Sequence, residues 1–313
     1  MPDITIIIVS WNSRRDLERC LPSLVAGSRQ HAFELILVDN ASSDDSVAYT
    51  RSIIPEAHII ANTANTGFAH ANNQAMTIAH GRYVCLLNPD TIVHDGALDD
   101  LMAFMDGRSD VWVTGPALLN GDGTPQRTGV RFPSLWNITV EAFFLDRIFP
   151  GTRLFGAHRE LYKTGPDPRA VDFVQGSCIV TRKNVIGKVG GLDEGYFMYF
   201  EETDWCKRVA AEGGAVWVVP GARVTHFGGG TLGHYDERRL LHYHASLFRY
   251  FRKHHGVAAR VGVRAVIMVR SWIRVIVWSI VAILRPALRR DALSAIRGYA
   301  RIEAFGMPRK GTP

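Results

Sequence analysis

Two stretches decide the fold: Ile4-Thr5-Ile6-Ile7-Ile8-Val9, which runs into Ser10-Trp11-Asn12, and Leu35-Ile36-Leu37-Val38, which runs into Asp39-Asn40-Ala41-Ser42-Ser43-Asp44. Each is a short, continuous apolar run rich in β-branched residues, the pattern of a strand covered on both faces. Between them Leu17, Leu21, Leu24 and Val25 recur at helical spacing. Outward from this core the alternation continues. Strands are expected at 58–60, 83–87 and 111–113, with helices over 42–54, 69–79 and 97–105. Strand and helix alternating in this way predict an α/β chain with a mostly parallel, doubly wound central sheet and helices on both faces. Ligands of such sheets collect outside the carboxyl ends of the strands, so the polar residues there carry the function.

Residues 115–170 are rich in Gly and Pro and are expected to be irregular, apart from a short helix near 135–144. A second structured block spans 171–231, and 238–253 reads as a helix that leads into a basic tail. The formal net charge of +6 hides an asymmetry: from Arg238 onward 16 Lys/Arg face two acids, a balance of +14, while residues 1–237 carry −8. Such a tail seeks an anionic partner of its own, a membrane surface or a nucleic acid. Cys20, Cys85, Cys178 and Cys206 form no C-x-x-C pair and sit in apolar runs, as buried thiols of a reducing compartment do. Met1-Pro2-Asp3 lacks the basic region and cleavage site of a signal peptide, which points to a cytoplasmic location.

Four polar islands follow the strands: Val9-Ser10-Trp11-Asn12, Val38–Asp44, Asn65-Thr66-Gly67-Phe68-Ala69-His70-Ala71-Asn72-Asn73, and Leu86-Leu87-Asn88-Pro89-Asp90-Thr91. A strand-end carboxylate such as Asp39 can accept hydrogen bonds from a nucleobase or ribose, or simply cap a turn. Asp90 can ligate a hard divalent cation that holds diphosphate oxygens, or be an ordinary turn residue after Asn-Pro. Four such islands at successive strand ends favour a site over coincidence. In the second block, Gln175-Gly176-Ser177-Cys178 precedes a strand and Gly190-Gly191-Leu192-Asp193-Glu194 precedes an aromatic segment. Glu201, Glu202 and Asp204 then crowd a helix start, where acids suit the helix dipole. A carboxylate there also suits a base that takes a proton from a hydroxyl.

Together these islands resemble the inverting glycosyltransferases of family 2, which adopt the GT-A fold, and within them the rhamnosyltransferase-like branch that builds bacterial surface polysaccharides. The resemblance covers about residues 3–255 and rests on V-S-W-N, V-D-N-A-S-S-D, N-x-G-F-A-x-A-N-N and L-N-P-D-T. It implies a donor site of Ser10, Asn12, Asp39, Asn65, Gly67, Asn73, Asn88 and Asp90. Asn88-x-Asp90 would replace an Asp-x-Asp metal motif; Asn88 lacks the charge, so binding of Mg²⁺ or Mn²⁺ leans on Asp90. His226, ahead of Gly228-Gly229-Gly230-Thr231, would complete the metal site while that loop closes over the diphosphate. Glu201-Glu202-Thr203-Asp204-Trp205-Cys206-Lys207-Arg208 resembles the family's E-D-x-D-x-C-x-R signature, which implies Glu202 as general base, with Glu201 its competitor for the role. Gln175, Asp193, Asp204 and Arg208 would form the acceptor side and site wall.

The implied activity is transfer of a rhamnose-like sugar from a dTDP- or UDP-sugar to an acceptor hydroxyl, expected on a lipid-linked saccharide. Residues 1–237 would form the catalytic domain, with 1–115 the nucleotide half and 171–231 the acceptor half, and 238–313 a basic helical extension. In that extension Arg260, Arg264, Arg270, Arg274, Arg285 and Arg289 fall within an arc of about 120° on a helix. The longest uninterrupted apolar run is Val275–Leu284, so an interfacial helix over 257–290 on an anionic membrane is expected, not a span, with the protein at the inner face of the plasma membrane. Packing on the catalytic domain or across a homodimer is the alternative use of that helix. A transferase charging a polyprenyl phosphate would share the donor site and differ in acceptor. A nucleic-acid-binding protein using the tail is the rival of another class; residues 1–237 are net acidic and carry no RRM, KH or helix-turn-helix signature, so no nucleic acid is expected. No G-x-G-x-x-G follows the first strand, which argues against a dinucleotide enzyme.

Overall fold

A computed structural model describes residues 1–27, 30–149, 152, 154–155, 165–228 and 237–305. The chain forms two compact units, Met1–Phe132 with His158–Phe197 and Glu201–Gly230, and Pro133–Ala157 with Met198–Phe200 and Thr231–Pro313.

The first unit is built on β1 (Ile4–Ser10), α1 (Arg14–Gly27), β2 (Phe33–Asp39), α2 (Ser46–Ile53), β3 (His58–Ala61), α3 (Phe68–Ile78), β4 (Tyr83–Leu87), β5 (Thr91–Val93), α4 (Ala97–Asp106) and β6 (Val111–Leu119). Strands β3, β2, β1 and β4 lie side by side and parallel, as the alternation predicts. The reason is visible in β1: Ile4, Ile6 and Ile8 are buried in one core with Leu17, Leu21 and Leu24 of α1 and Leu98, Leu101 and Met102 of α4. Ile7 faces the opposite core, with Ala69, Ala71 and Ala75 of α3. Each fully buried Ile or Leu contributes roughly 1.5–3 kcal/mol, and a strand that feeds two cores cannot slip register without losing both sets. All four cysteines are buried and unpaired in these cores. Burial pushes the Cys20 and Cys206 thiols up to about 12.

The second half of the sheet departs from the parallel pattern. β10 (Cys178–Arg182) runs antiparallel to both β4 and β6. β11 (Ala215–His226) returns parallel to β6 and antiparallel to β5. Short strands β7 (Gly129–Val130), β8 (Arg169–Val171) and β9 (Phe173–Val174) sit between, and β8 pairs with β11 while β7 pairs with β9. Because β10 is antiparallel, Cys178 pairs with Leu87. Residues just before β10 therefore stand beside the carboxyl end of β4. Helices α7 (Lys183–Val189) and α8 (Glu201–Ala211) complete the face that carries α3.

The second unit is helical: α5 (Leu135–Ala142), α6 (Leu145–Ile148), α9 (Glu237–His254), α10 (Val257–Leu284), a 3-10 turn (Pro286–Leu288) and α11 (Arg289–Phe305). Tyr199 and Phe200 belong to this unit and both hold left-handed φ, 70° and 67°. Outside glycine such a conformation costs roughly 1–3 kcal/mol per residue. Here it is held by α9: Ser246 Oγ donates to Met198 O at 2.8 Å, and the Phe200 ring packs on Tyr243 and Tyr250.

Helix α10 is longer than its ten-residue apolar run suggests, and by length and composition it could cross a membrane. It buries Val263, Ile267 and Ser271. Its four arginines fall on that side too, so the arc they share is not the helix's outward face. Arg260, Arg270 and Arg274 are half-buried, with Arg274 over the Phe144 ring and Arg260 Nε donating to His255 O; Arg264 is exposed. Arginine stems cover apolar surface well and their planar heads stack on rings, so a helix can turn an arginine stripe inward.

Candidate active site

At the carboxyl ends of β1 and β2, Ser10 and Asp39 are in register, and Asn40 N bonds Ser10 O at 2.8 Å. Asp39 Oδ2 accepts from Ser42 N at 3.1 Å. Its Oδ1 is buried without a hydrogen-bond partner, as is Ser10 Oγ. Leaving a buried polar atom unpaired costs about 1–3 kcal/mol, so an acceptor and a hydroxyl left open together mark a place where a ligand can pair. The neighbouring asparagines build the walls. Asn12, at φ 54°, accepts through Oδ1 from Ser43 N at 2.8 Å. Asn40 joins three segments: its Nδ2 donates to Gly67 O, and its Oδ1 accepts from Asn62 and Thr66. Asn65 Oδ1 accepts from Gly67 N at 3.0 Å.

The start of α3 is tied to the loop that precedes α8. Gly67 has φ 84°, and a Cβ there would lie 2.7 Å from Phe197 O, which accepts from Phe68 N at 2.9 Å. Asn73 exchanges two bonds with Leu192, Nδ2 to Leu192 O and Leu192 N to Oδ1, both at 2.8 Å, and also reaches Glu194. Asn73 is thus a clamp on the 190–197 loop. Within that loop Asp193 Oδ1 accepts from Gly195 N. Arg208 holds its far side, donating to Asp204 Oδ2 at 3.0 Å and to Val189 O and Gly191 O.

Beyond β4, Asn88 N bonds Ser177 O at 2.9 Å, and Thr91 Oγ1 closes the turn on Asn88 O. The pairing of His226 with Thr91 brings the end of β11 to this turn. His226 Nε2 lies 3.4 Å from Asp90 Oδ1, and Phe227 N bonds Asp90 O at 2.9 Å. Gln126 orients the imidazole: its Nε2 donates to His226 O, which turns its Oε1 to His226 Nδ1 at 3.1 Å. An amide oxygen only accepts, so Nδ1 carries a hydrogen and Nε2 is the ring nitrogen turned toward Asp90. Phe227 is held between the Arg19 guanidinium, 3.9 Å from its ring, and Gly121. Gly229, Gly230 and Thr231 of the expected closing loop lie outside the described residues.

Glu201, Glu202 and Asp204 occupy the first turn of α8, where the helix dipole favours carboxylates. Asp204 is fully buried against Arg208. For the glutamates burial wins: Glu201 is pushed well above the usual carboxylate range by burial and then by the Glu202 charge. Burial raises Glu202 to about 7. Each has a buried Oε2 without a hydrogen-bond partner. Glu202 lies against the Gln175-Gly176-Ser177 turn, since a Cβ on Gly176 would come within 3.7 Å of its Cγ. The same turn bonds Asn88, so Glu202 and Asp90 stand at one end of the sheet. A group ionising near neutrality is suited to general-base work.

The glycosyl transferase family 2 pattern matches residues 5–190, more than half of the chain. The chain belongs to glycosyl transferase family 2. Relatives of this family 2 transferase include an N-acetylglucosaminyl-diphospho-decaprenol L-rhamnosyltransferase of Mycobacterium tuberculosis, 26% identical over 87% of this chain and 94% of the relative. Rhamnosyltransferase WbbL of Escherichia coli K12 is 27% identical over 60% of this chain and 70% of its own length. Among solved structures, GalNAc-T7 with UDP, GalNAc and Mn²⁺ superposes with a TM-score of 0.60 at 17% identity, over 81% of this chain and 50% of that one. A mannosyltransferase of Pyrobaculum calidifontis in complex with GDP-Man and Mn²⁺ gives 0.57 at 13% identity, over 97% and 87%. The fold is of GT-A type, and the protein is a nucleotide-sugar-dependent glycosyltransferase.

Three residues of the transferase's site had no signal in the sequence. Gln126 lies in the Gly- and Pro-rich stretch, and Ser177, with its buried unpartnered Oγ, looked like a plain strand lead-in. Asn40 lies in the Val38–Asp44 island, where nothing local marks the bonds it makes to the distant Asn62, Thr66 and Gly67. A cavity of about 350 Å³ lined by Asp106, Trp112, Arg182 and Lys188 opens at the opposite end of the sheet, away from this chemistry.

Proposed function

We propose that this family 2 transferase moves a rhamnose-like sugar from a dTDP- or UDP-sugar onto a hydroxyl of a lipid-linked saccharide, with inversion at the anomeric carbon. The observation that carries the reading is the meeting of Asp90 with His226 at the strand end where Glu202 stands, beside the open Asp39 Oδ1 and Ser10 Oγ. Asp39 and Ser10 bind the base or ribose, with Asn88 and Asp90 toward the diphosphate. Asn12, Asn65, Gly67 and Asn73 shape the walls of that pocket, and Gln175, Asp193, Asp204 and Arg208 those of the acceptor side. Glu202 takes the acceptor hydroxyl's proton. The oxygen attacks the anomeric carbon from the face opposite the diphosphate, the carbon–oxygen bond to the diphosphate breaks, and the nucleoside diphosphate leaves. Burial and the Glu202 charge push Glu201 well above the usual carboxylate range, which disfavours a second negative charge beside the base.

The residues present fit a divalent cation. Asp90 Oδ1 and His226 Nε2 face one another at 3.4 Å, a carboxylate oxygen and a ring nitrogen that one divalent cation can share. Among the described residues no third His, Cys, Asp or Glu joins the pair, which leaves the remaining positions to diphosphate oxygens and water. A bound Mg²⁺ or Mn²⁺ would neutralise charge on the leaving diphosphate. The relatives that act on lipid-diphosphate sugars support a lipid-linked acceptor, and we place the reaction at the cytoplasmic face of the plasma membrane. Calorimetry with dTDP- and UDP-sugars, with and without Mg²⁺ or Mn²⁺, tests the donor site. Metal-dependent binding that disappears in Asp90→Ala is expected; nucleotide binding that is indifferent to both metal and Asp90 would overturn the assignment.

A further inference from the structure

The outward side of α10 is almost wholly apolar. Val257, Val261, Met268, Val269, Trp272, Ile273, Ile276, Val277, Ile280, Ile283 and Leu284 are all exposed, Ile283 by 76% and Trp272 by 58%. At 100° per residue they sweep an arc of about 200° along a helix about 42 Å long. A soluble surface scatters such residues; a continuous face of this length marks an interaction surface. Helix α11, packed against α10, presents a different face: Arg289, Arg290, Arg297 and Arg301 are exposed within an arc of about 120°. Arg252 and Lys253 at the end of α9 and Arg285 after α10 are exposed at the two ends of the apolar face.

We propose that the apolar face of α10 docks flat into the interface of an anionic lipid bilayer, with the exposed arginines of α11 on the lipid phosphates beside it. The proposal deepens the membrane location given above and rests on it, while its test is independent of sugar transfer. Charge selects the occupant. A second copy seated on this face would bring together two segments that each carry +14, whereas an anionic surface neutralises both arginine clusters. A crossing orientation is disfavoured because it would carry Arg260, Arg264, Arg270 and Arg274 through the hydrocarbon. Lying flat keeps these on the side away from the apolar face, where Arg260, Arg270 and Arg274 are half-buried, and buries only residues that nothing else covers. The orientation is the reverse of a helix that floats on its arginines: the lipid contact is apolar, and the cations come from the neighbouring helix.

The test uses the full chain in flotation with vesicles of phosphatidylcholine alone and of phosphatidylcholine mixed with phosphatidylglycerol. The parent should bind the anionic vesicles at least about tenfold more tightly than the neutral ones. Ile276→Glu with Ile280→Glu, both on exposed positions, should lower binding to anionic vesicles at least about tenfold without changing the melting temperature. Arg289→Glu with Arg290→Glu should weaken the anionic preference and flatten its salt dependence. Vesicle binding unchanged in the isoleucine variant would overturn the proposal. So would a parent dimer that this variant converts to monomer while vesicle binding stays the same, since the face would then serve self-association. Nucleotide calorimetry on the same samples reports the donor site separately, so normal flotation without nucleotide binding would support the docking surface and count against the proposed reaction alone.

Discussion

Replacing Glu202 by glutamine should make the transferase more stable and nearly inactive at once, and the size of each effect follows from where its carboxyl sits. In the folded chain burial lifts Glu202 from 4.5 to about 7. At about 1.4 kcal/mol per pH unit this interval corresponds to about 3.5 kcal/mol. The residue keeps part of its surface in water and titrates together with Glu201, so screening reduces the figure to about 1.5 kcal/mol. The sign is that of a carboxyl whose folded pKa lies above its unfolded one. Between 4.5 and 7 the folded chain holds the proton more tightly than the unfolded chain, so stability falls as pH rises through that window. Glutamine cannot ionise. Glu202→Gln should therefore match the parent below 4.5 and exceed it above 7 by about 1.5 kcal/mol, roughly 3 °C in Tm. The same variant should lose transfer by about 10²–10⁴-fold, and the parent's rate should climb as pH passes through about 7. Thermal melts on both sides of the window, with initial rates of nucleoside diphosphate release, measure both effects. An equal Tm change at low and high pH, or a variant that keeps its rate, would refute the reasoning.

Gln126→Ala frees the His226 ring to rotate, and it should weaken metal-dependent nucleotide binding by about 10-fold while leaving metal-free binding unchanged, as calorimetry can show. Asn73→Ala removes both bonds to Leu192 and the bond to Glu194; it should cost about 2 kcal/mol in urea unfolding and lower kcat more than it changes nucleotide affinity. Gly67→Ala places a methyl 2.7 Å from Phe197 O at a φ of 84°, and a loss of at least about 2 kcal/mol is expected in the same assay.

The parallel half of the sheet was legible because β1 and β2 carry side chains for two cores and have no polar face. The direction of β10 was not. Cys178-Ile179-Val180 is buried on both sides whichever way it runs, so its composition looks like that of a parallel strand. Asp90 and Glu202 stood out as carboxylates at element ends, but their roles came from resemblance. Gln126 acts only through hydrogen bonds to a residue far along the chain, which no local pattern encodes. Asn73 read as a donor-site residue, yet both ends of its amide are engaged by the 190–197 loop. In α10 periodicity groups the arginines on one arc, but it says which residues share a side and not which side is covered.

The burial of all four thiols has a practical consequence. With Cys20 and Cys206 at about 12 and Cys85 raised well above its ordinary value, none of these three forms a reactive thiolate near neutrality. The native protein is already a quiet background for maleimide chemistry. A single cysteine placed at an outward position of α10, such as Ile276→Cys, would take a polarity-sensitive dye without any native cysteine being removed. Stepping that dye along the helix would turn its emission colour into a depth gauge.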